Sequence, residues 1–365
     1  MAITGNKGEW SEIYTLFRLL GEGKVHAGDA NLNKLELYYP ILNIIREELI
    51  RDECKKYEYK PNPDKHIVII DEDGEEYARI PMDKFLSESS SLFSAIRENN
   101  QRSFSIPSTE CFMGKIGCSK LKASSRDKSD IHIVIHDLRT GMTPLLGFNI
   151  KSQLGSASTL LNATEATNIR YLVVGKEMSD ADLNEINSIN DHLPRMKALL
   201  DKGYTLKYSD IEHNTFKNNL LFLDTCMPEF IAACLICDSM PNSTSKISGA
   251  VEVVAQDNPF HFSGRDVKAF YEHKMKVLLL DAALGMTPSR EWKGKYDANG
   301  GYLVVRHDGE IVCYHFYNRN DVEDYLYYNT RFERGSRSRH HFGSLYRGED
   351  GEVYIKLNLQ IRFIK

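Results

Sequence analysis

Residues 130–175, DIHIVIHDLRTGMTPLLGFNIKSQLGSASTLLNATEATNIRYLVVG, decide how the chain is read. IHIVIHD (131–137) and LLGFNIKS (145–152) are two β-rich runs, and the stretch between them centres on Thr140 and Gly141. Such runs about a glycine turn predict an antiparallel hairpin. With that turn centre, Asp130 and Lys151 are equidistant from it and face one another at the hairpin's open end. Alternation puts Asn149 on the face of Lys151 and sends Phe148 and Ile150 to the other side, onto a helix layer. STLLNATEATN (158–168) reads as a short helix crossing back over the sheet, and IRYLVVG (169–175) as the next strand. The order strand, strand, helix, strand predicts an α/β core of mixed sheet flanked by helices.

An acid and a lysine meeting on one polar face suit phosphodiester cleavage. That reaction needs an activated water in line with the leaving oxygen and positive charge beside the phosphate, which carboxylate-bound Mg2+ and a lysine supply. The usual pattern, D…(D/E)xK, places a second carboxylate two residues before the lysine, but position 149 is an asparagine. Glu165, on the helix after the hairpin, is the candidate for the missing charge. An Asp, a Lys two positions after a non-acidic residue and a later helix Glu resemble the migrated-acid variant of the PD-(D/E)XK nucleases. On this reading Asp130 and Glu165 hold Mg2+ and Lys151 orients or deprotonates the water. Glu12, on the first predicted helix, is a further candidate ligand; its alternative is favourable interaction with the helix dipole.

Plainer readings stand beside these. Asp130 and Lys151 also satisfy the pattern of a cross-strand ion pair, worth under about 1 kcal/mol. A strand histidine satisfied by a neighbour accounts for His132 more simply than a general base does. Asp137, beside the turn, reads as a turn-stabilising acid. The loop with Gly155, Ser156 and Ser158 is either a phosphate-binding helix N-terminus or a plain connection with an N-cap serine.

Three stretches, GNKGEWSEIY (5–14), KASSRDKSDIHIVIHD (122–137) and GFNIKSQLGSASTLLNATEATNIRY (147–171), resemble the HpaII-type restriction endonuclease family. The similarity is densest over residues 5–33 and 120–175. It implies a type II enzyme cutting double-stranded DNA, with CCGG as the expected target. A palindromic target would in turn call for a twofold homodimer on the DNA, or two sequential nicks by a monomer. Two rivals remain: a DNA-binding protein on a decayed nuclease scaffold, which Asn149 favours, and a repair nuclease that recognises DNA structure.

The formal net charge of -5 excludes a protein that coats nucleic acid by bulk electrostatics, so any DNA contact must come from local basic patches. One patch surrounds Lys122, Arg126 and Lys128. Another lies at 331–347, where Arg331, Arg334, Arg337, Arg339 and Arg347, with His340 and His341, are opposed only by Glu333. Arginines there read the guanine O6 and N7 edge or contact phosphates, and the sequence leaves both open. Tyr325, Tyr327 and Tyr328 read as packing residues.

The N-terminus lacks the layout of a signal peptide and no apolar run approaches a membrane span, which predicts a cytoplasmic protein. Seven cysteines read as reduced thiols, with the CxxC of Cys234 and Cys237 inside an apolar helix rather than in a zinc site. Helices are predicted over 8–21, 34–56, most of 180–245 and 266–284, with hairpins at 66–80 and 302–316 around Asp-Gly turns. The chain length predicts several parts. Residues 1–110 carry N-terminal helices and a hairpin of the nuclease domain, and 111–180 form the catalytic core. Residues 181–250 are a helical region, and 251–365 an α+β DNA-recognition region.

Overall fold

The computed structural model describes residues 2–50, 53–122, 129–240, 244–296 and 299–365, and among them sixteen strands and eleven α-helices make a mixed α/β protein. The chain divides into two compact units, Met1–Ser158 with Asp297–Tyr325 and Lys365, and Thr159–Tyr296 with Leu326–Ile364. Residues 251–365 therefore contribute to both.

The first unit opens with α1 (Lys7–Glu22). Asn6 accepts from the Glu9 N–H at 3.1 Å while the Glu9 carboxylate accepts from the Asn6 N–H at 2.8 Å, a reciprocal cap. Trp10, Ile13, Leu16, Phe17 and Leu20 are buried, as their spacing predicts. Next come β1 (Lys24–Gly28), β2 (Lys34–Ile50), β3 (Glu53–Pro61), β4 (His66–Ile70) and β5 (Glu76–Pro81). The helix predicted over 34–56 is thus replaced by strands. Pro40 would cost a helix a hydrogen bond and clash with the preceding turn. Tyr39, Ile41, Ile44, Arg46 and Glu48 are buried on the strand, with a register shift between Ile41 and Asn43. The hairpin predicted at 66–80 forms, β4 pairing with β5.

After α2 (Met82–Glu98) and α3 (Pro107–Lys115) come β6 (Ile131–Ile135) and β7 (Leu145–Ser152), the predicted antiparallel hairpin. Its register differs from the one predicted. Ile131 pairs with Phe148, so Asp130 stands opposite Asn149 and Lys151 is its diagonal neighbour. The loop is asymmetric because Pro144 has no N–H, Asp137 N–H bonds Met142 O at 2.9 Å and Gly141 N–H bonds Asp137 O at 2.7 Å. A shift of two residues preserves the alternation, so all three polar residues keep one face.

The segment after the hairpin departs further from expectation. In place of a crossing helix, the second unit begins with β8 (Thr159–Leu161) and a 3-10 turn at Glu165–Thr167, followed by β9 (Asn168–Val174). Thr159, Thr164 and Thr167 disfavour a helix. The Thr167 hydroxyl instead accepts from the Thr164 N–H at 3.2 Å and donates to Thr164 O at 2.9 Å, and Leu161 is buried, paired with Ile361. Helices α4 (Asp180–Ser188) and α5 (His192–Asp201), strand β10 (Thr205–Ile211), and helices α6 (Asn214–Leu223), α7 (Met227–Ser239), α8 (Ile247–Asp257) and α9 (Val267–Ala283) follow.

Strands β11 (Gly301–Val305) and β12 (Ile311–His315), the predicted second hairpin, return to the first unit. Its turn places Gly309 at φ 87, which glycine adopts without steric cost. The strand beside β7 is β11, running parallel, with Tyr302 level with Asn149 and Val304 with Lys151. The first unit's sheet runs β1-β12-β11-β7-β6-β2-β3-β4-β5, and β1 also pairs with the first half of β2, returning the strand path on itself. Leu303 and Val305 join Phe148, Ile150 and α1 in the core, so Tyr302 and Val304 share the other face with Asn149 and Lys151.

Last come α10 (Arg319–Tyr328), β13 (Thr330–Glu333), α11 (Arg337–His340), β14 (Leu345–Arg347), β15 (Val353–Asn358) and β16 (Gln360–Phe363). The second unit's strands form antiparallel sheets in the orders β10-β9-β15-β14 and β13-β16-β8. Among the described residues no single helix is long and apolar enough to cross a membrane. Among the described residues no disulfide is formed, and Cys234 is buried in α7.

Candidate active site

Asp130 immediately precedes β6. Its N–H bonds Phe148 O at 2.9 Å and its Oδ2 accepts from the Ile150 N–H at 2.7 Å, which fixes the carboxylate's rotamer. The close approach of the chain just before it depends on Gly147, where a Cβ would stand 2.2 Å from Ser129 Oγ. Lys151, two residues past Asn149 on β7, lies with its Nζ 5.5 Å from the centre of the Tyr302 ring, within cation–π range. Burial holds its ammonium below the ordinary lysine range, and the carboxylates of Asp130 and Glu12 pull it back up.

Glu12 reaches this group from α1. The neighbouring Ser11 donates to Lys7 O, and its hydroxyl also meets Ser152 Oγ at 2.8 Å, so the residue before Glu12 is tied to the residue after Lys151. The helix-end role belongs to Glu9, the acid of the capping box, which leaves Glu12 one turn along to serve another purpose. Burial pushes the Glu12 carboxyl up to about 8, with the negative charge of Asp130 second and Glu9 adding to it, against Lys122 and Arg46. Glu12 thus occupies a water-poor place where its charge is comfortable only beside a positive one.

That donor set, two carboxylates with the Asn149 amide opposite one of them, suits a hard divalent cation that takes oxygen ligands and keeps several waters. Among the described residues no group of three or more His, Cys, Asp and Glu side chains could hold a metal ion.

Glu165 is placed differently from expectation. It belongs to the second unit, on a 3-10 turn rather than a helix over the sheet, with its side chain 64% exposed and 3.4 Å from His341 Nε2. No helix begins at Ser158, so the loop of Gly155, Ser156 and Ser158 is not a helix N-terminus. Asp137 stabilises the turn: burial pushes its carboxyl up, but hydrogen bonds from Arg139 and Thr140 and the Arg139 charge together leave it lowered.

Of the first basic patch, Lys122 is exposed and pairs with Glu9 at 3.4 Å, while Arg126 and Lys128 lie outside the described residues. In the second patch most arginines have protein partners. Arg331 pairs with Glu333, Arg334 bonds the Asp238 backbone and carboxylate at 2.8 and 3.2 Å, and Arg347 pairs with Asp180 at 2.7 Å. Arg337 donates to Asn190 O and to Ser344 Oγ. Arg339 is exposed and has no hydrogen bond or ion pair among the described residues, and His340 lies half-buried beside it. Arg337, His341, Phe342, Tyr346 and Lys356 line a cavity of about 640 Å³ in this unit.

Sequence reasoning missed Tyr302. It was legible as a hairpin residue, but its place beside Lys151 depends on a parallel pairing between strands about 150 residues apart, which no local pattern announces.

No solved structure matches the chain. The HpaII restriction endonuclease family matches residues 6–363. The type II restriction enzyme HpaII of Haemophilus parainfluenzae is 43% identical over 364 residues, covering 99% of both chains. With Asp130, Lys151 and the flanking wording all inside the matched span, the chain belongs to the HpaII restriction endonuclease family.

Proposed function

We propose that this type II restriction endonuclease hydrolyses double-stranded DNA at a short GC palindrome, CCGG by the family likeness, through a PD-(D/E)XK-type centre made of Asp130, Asn149, Lys151 and Glu12. One observation carries the proposal: Asp130 and Asn149 face each other across the hairpin with Lys151 diagonal to Asp130, and the carboxylate of Glu12 feels Asp130 and acts on Lys151. Glu12 takes the part first given to Glu165.

Asp130 and Glu12 would hold Mg2+, with Asn149 contributing a neutral oxygen. Bound there, Mg2+ supplies positive charge at the scissile phosphate and makes a water more acidic. Lys151, steadied over Tyr302, offsets charge on the phosphate and, as its lowered pKa allows, takes the proton of the attacking water. Water oxygen bonds to phosphorus as the bond to O3′ breaks and O3′ takes a proton from solvent, leaving a 5′-phosphate and a 3′-hydroxyl. The second unit's basic face, with Arg337, Arg339 and His340, and Lys122, Arg126 and Lys128 of the first, would contact the DNA. Two copies would meet a palindrome with twofold symmetry.

The test is digestion of a plasmid of known sequence with Mg2+, followed by sequencing of the fragment ends. Discrete fragments with 5′-phosphates at one palindrome are expected. A second reading, a DNA-binding protein without catalysis, is favoured by the neutral Asn149, and site binding with no cutting at any Mg2+ concentration would establish it instead.

A further inference from the structure

The buried pair Arg46 and Glu48 on β2 lies outside the centre described above. Arg46 is 5% exposed and Glu48 1%, and Arg46 Nε meets Glu48 Oε1 at 2.5 Å. Arg46 Nη2 and Glu48 Oε2 both bind one short segment. Arg46 donates from Nη2 to Lys120 O at 2.5 Å and Leu121 O at 3.2 Å, and Glu48 Oε2 accepts from the Ser119 N–H at 3.1 Å and its hydroxyl at 2.6 Å.

Segment 119–122 in turn braces the start of α1. Leu121 is buried against it so closely that a Cβ on Gly5 would stand 2.2 Å from Leu121 Cδ1, and Lys122 pairs with Glu9. The same strand pairs directly with β6, Ile45 with His132 and Ile44 with Ile133, just beyond Asp130. One ion pair therefore touches both routes to the centre, the helix that carries Glu12 and the strand that follows Asp130.

We infer that Arg46 and Glu48 are positioning residues that set Glu12 against Asp130 at the distance a shared divalent ion needs. The inference rests on the reading of those two carboxylates as the metal site. Stability alone does not explain the pair. Burying two ions is costly enough that a well-packed apolar pair of similar volume is commonly as stable or more so. What an apolar pair cannot reproduce is a set of directed bonds to three consecutive residues.

The double variant Arg46→Met/Glu48→Leu separates the two roles. Three quantities are read: Tm, Mn2+ affinity by calorimetry without DNA, and single-turnover cleavage with Mg2+. We expect a Tm within about 5 °C of the parent's, together with Mn2+ binding and cleavage each weakened by about tenfold or more, the size of effect seen for residues that orient metal ligands. Parent-like Mn2+ affinity and cleavage in a folded double variant would overturn the inference. Should that variant not fold, Ser119→Ala decides, since it removes one Glu48 bond at an exposed residue. It is expected to weaken Mn2+ binding in the same direction, and unchanged affinity refutes the clamp. Glu12→Gln serves as control: parent-like cutting by it sinks the metal-site reading itself, a result distinct from failure of the clamp.

Discussion

Lys151 in the first unit and Arg337 in the second are both cations placed where DNA phosphate is proposed to lie, yet their surroundings differ. Lys151 sits beside an aromatic ring and feels two carboxylates, one of which is pushed up to about 8 because burial and its neighbour oppose its charge. Arg337 is tied to a backbone carbonyl and a serine hydroxyl, next to a cavity also edged by Lys356. The first arrangement leaves the Glu12 charge under-compensated beside Asp130, which favours taking up a divalent ion. The second ties its cations to the protein, which makes a stiff basic wall for a partner whose charge is spread along a backbone.

Substitutions at the hairpin should break this contrast most sharply. Lys151→Ala and Asp130→Asn are each expected to lower single-turnover cleavage by about a thousandfold or more while DNA retention in a gel-shift assay stays near the parent's. Cutting within a few-fold of the parent by either would remove the first unit's claim to the chemistry.

Glu12 and Glu165 then sharpen it, because they are the two candidates for the third acid and stand in different units. Glu12→Gln should cost about a hundredfold in cleavage, or about 2.7 kcal/mol of barrier. Glu165→Gln, at an exposed residue, should change it by less than about threefold. The reverse order would restore the assignment suggested by the sequence.

Acid should weaken both units through one histidine each, buried in the first and half-buried in the second. Burial pushes His315 down to about 4, with Asp137 opposing, and His192 down to about 4 through burial first and then Arg334, Arg195 and Arg337. Folding keeps these rings neutral. Their contribution is therefore whole above the unfolded value of 6.5 and is lost as pH falls from there toward 4. A drop of a few kcal/mol in all is expected in urea denaturation at pH 4.5 against pH 7. His315→Phe should flatten the first unit's share, and an unchanged profile would show that this ring is not the sensor.

The smallest effect belongs to the exposed arginine. Arg339→Ala should leave Tm unchanged and reduce the slope of log affinity against log salt by about one, as loss of one phosphate contact does. An unaltered slope would take Arg339 out of the DNA contact.

Much of the first unit was legible because its cues are local. The spacing of Trp10, Ile13, Leu16, Phe17 and Leu20 marked α1, the Asp-Gly turns marked two hairpins, and alternation put Asn149 and Lys151 on one face. Two elements misled. The segment 34–56 has enough charged and apolar residues to imitate a helix, but Pro40 and its strand partners decided otherwise. The segment 158–168 became strand and 3-10 turn because Leu161 finds its partner Ile361 far along the chain.

By itself, then, the order of residues determined which side of the hairpin Asn149 and Lys151 occupy and which family the chain resembles, since each depends on short-range periodicity and wording. Only the tertiary structure decided the register that sets Asp130 against Asn149, the parallel strand that brings Tyr302 to Lys151, and the burial that places the Glu12 charge near those of Asp130 and Lys151. Those outcomes hinge on loop geometry, on pairing between distant strands and on burial, and none of these is written in any window of neighbouring residues.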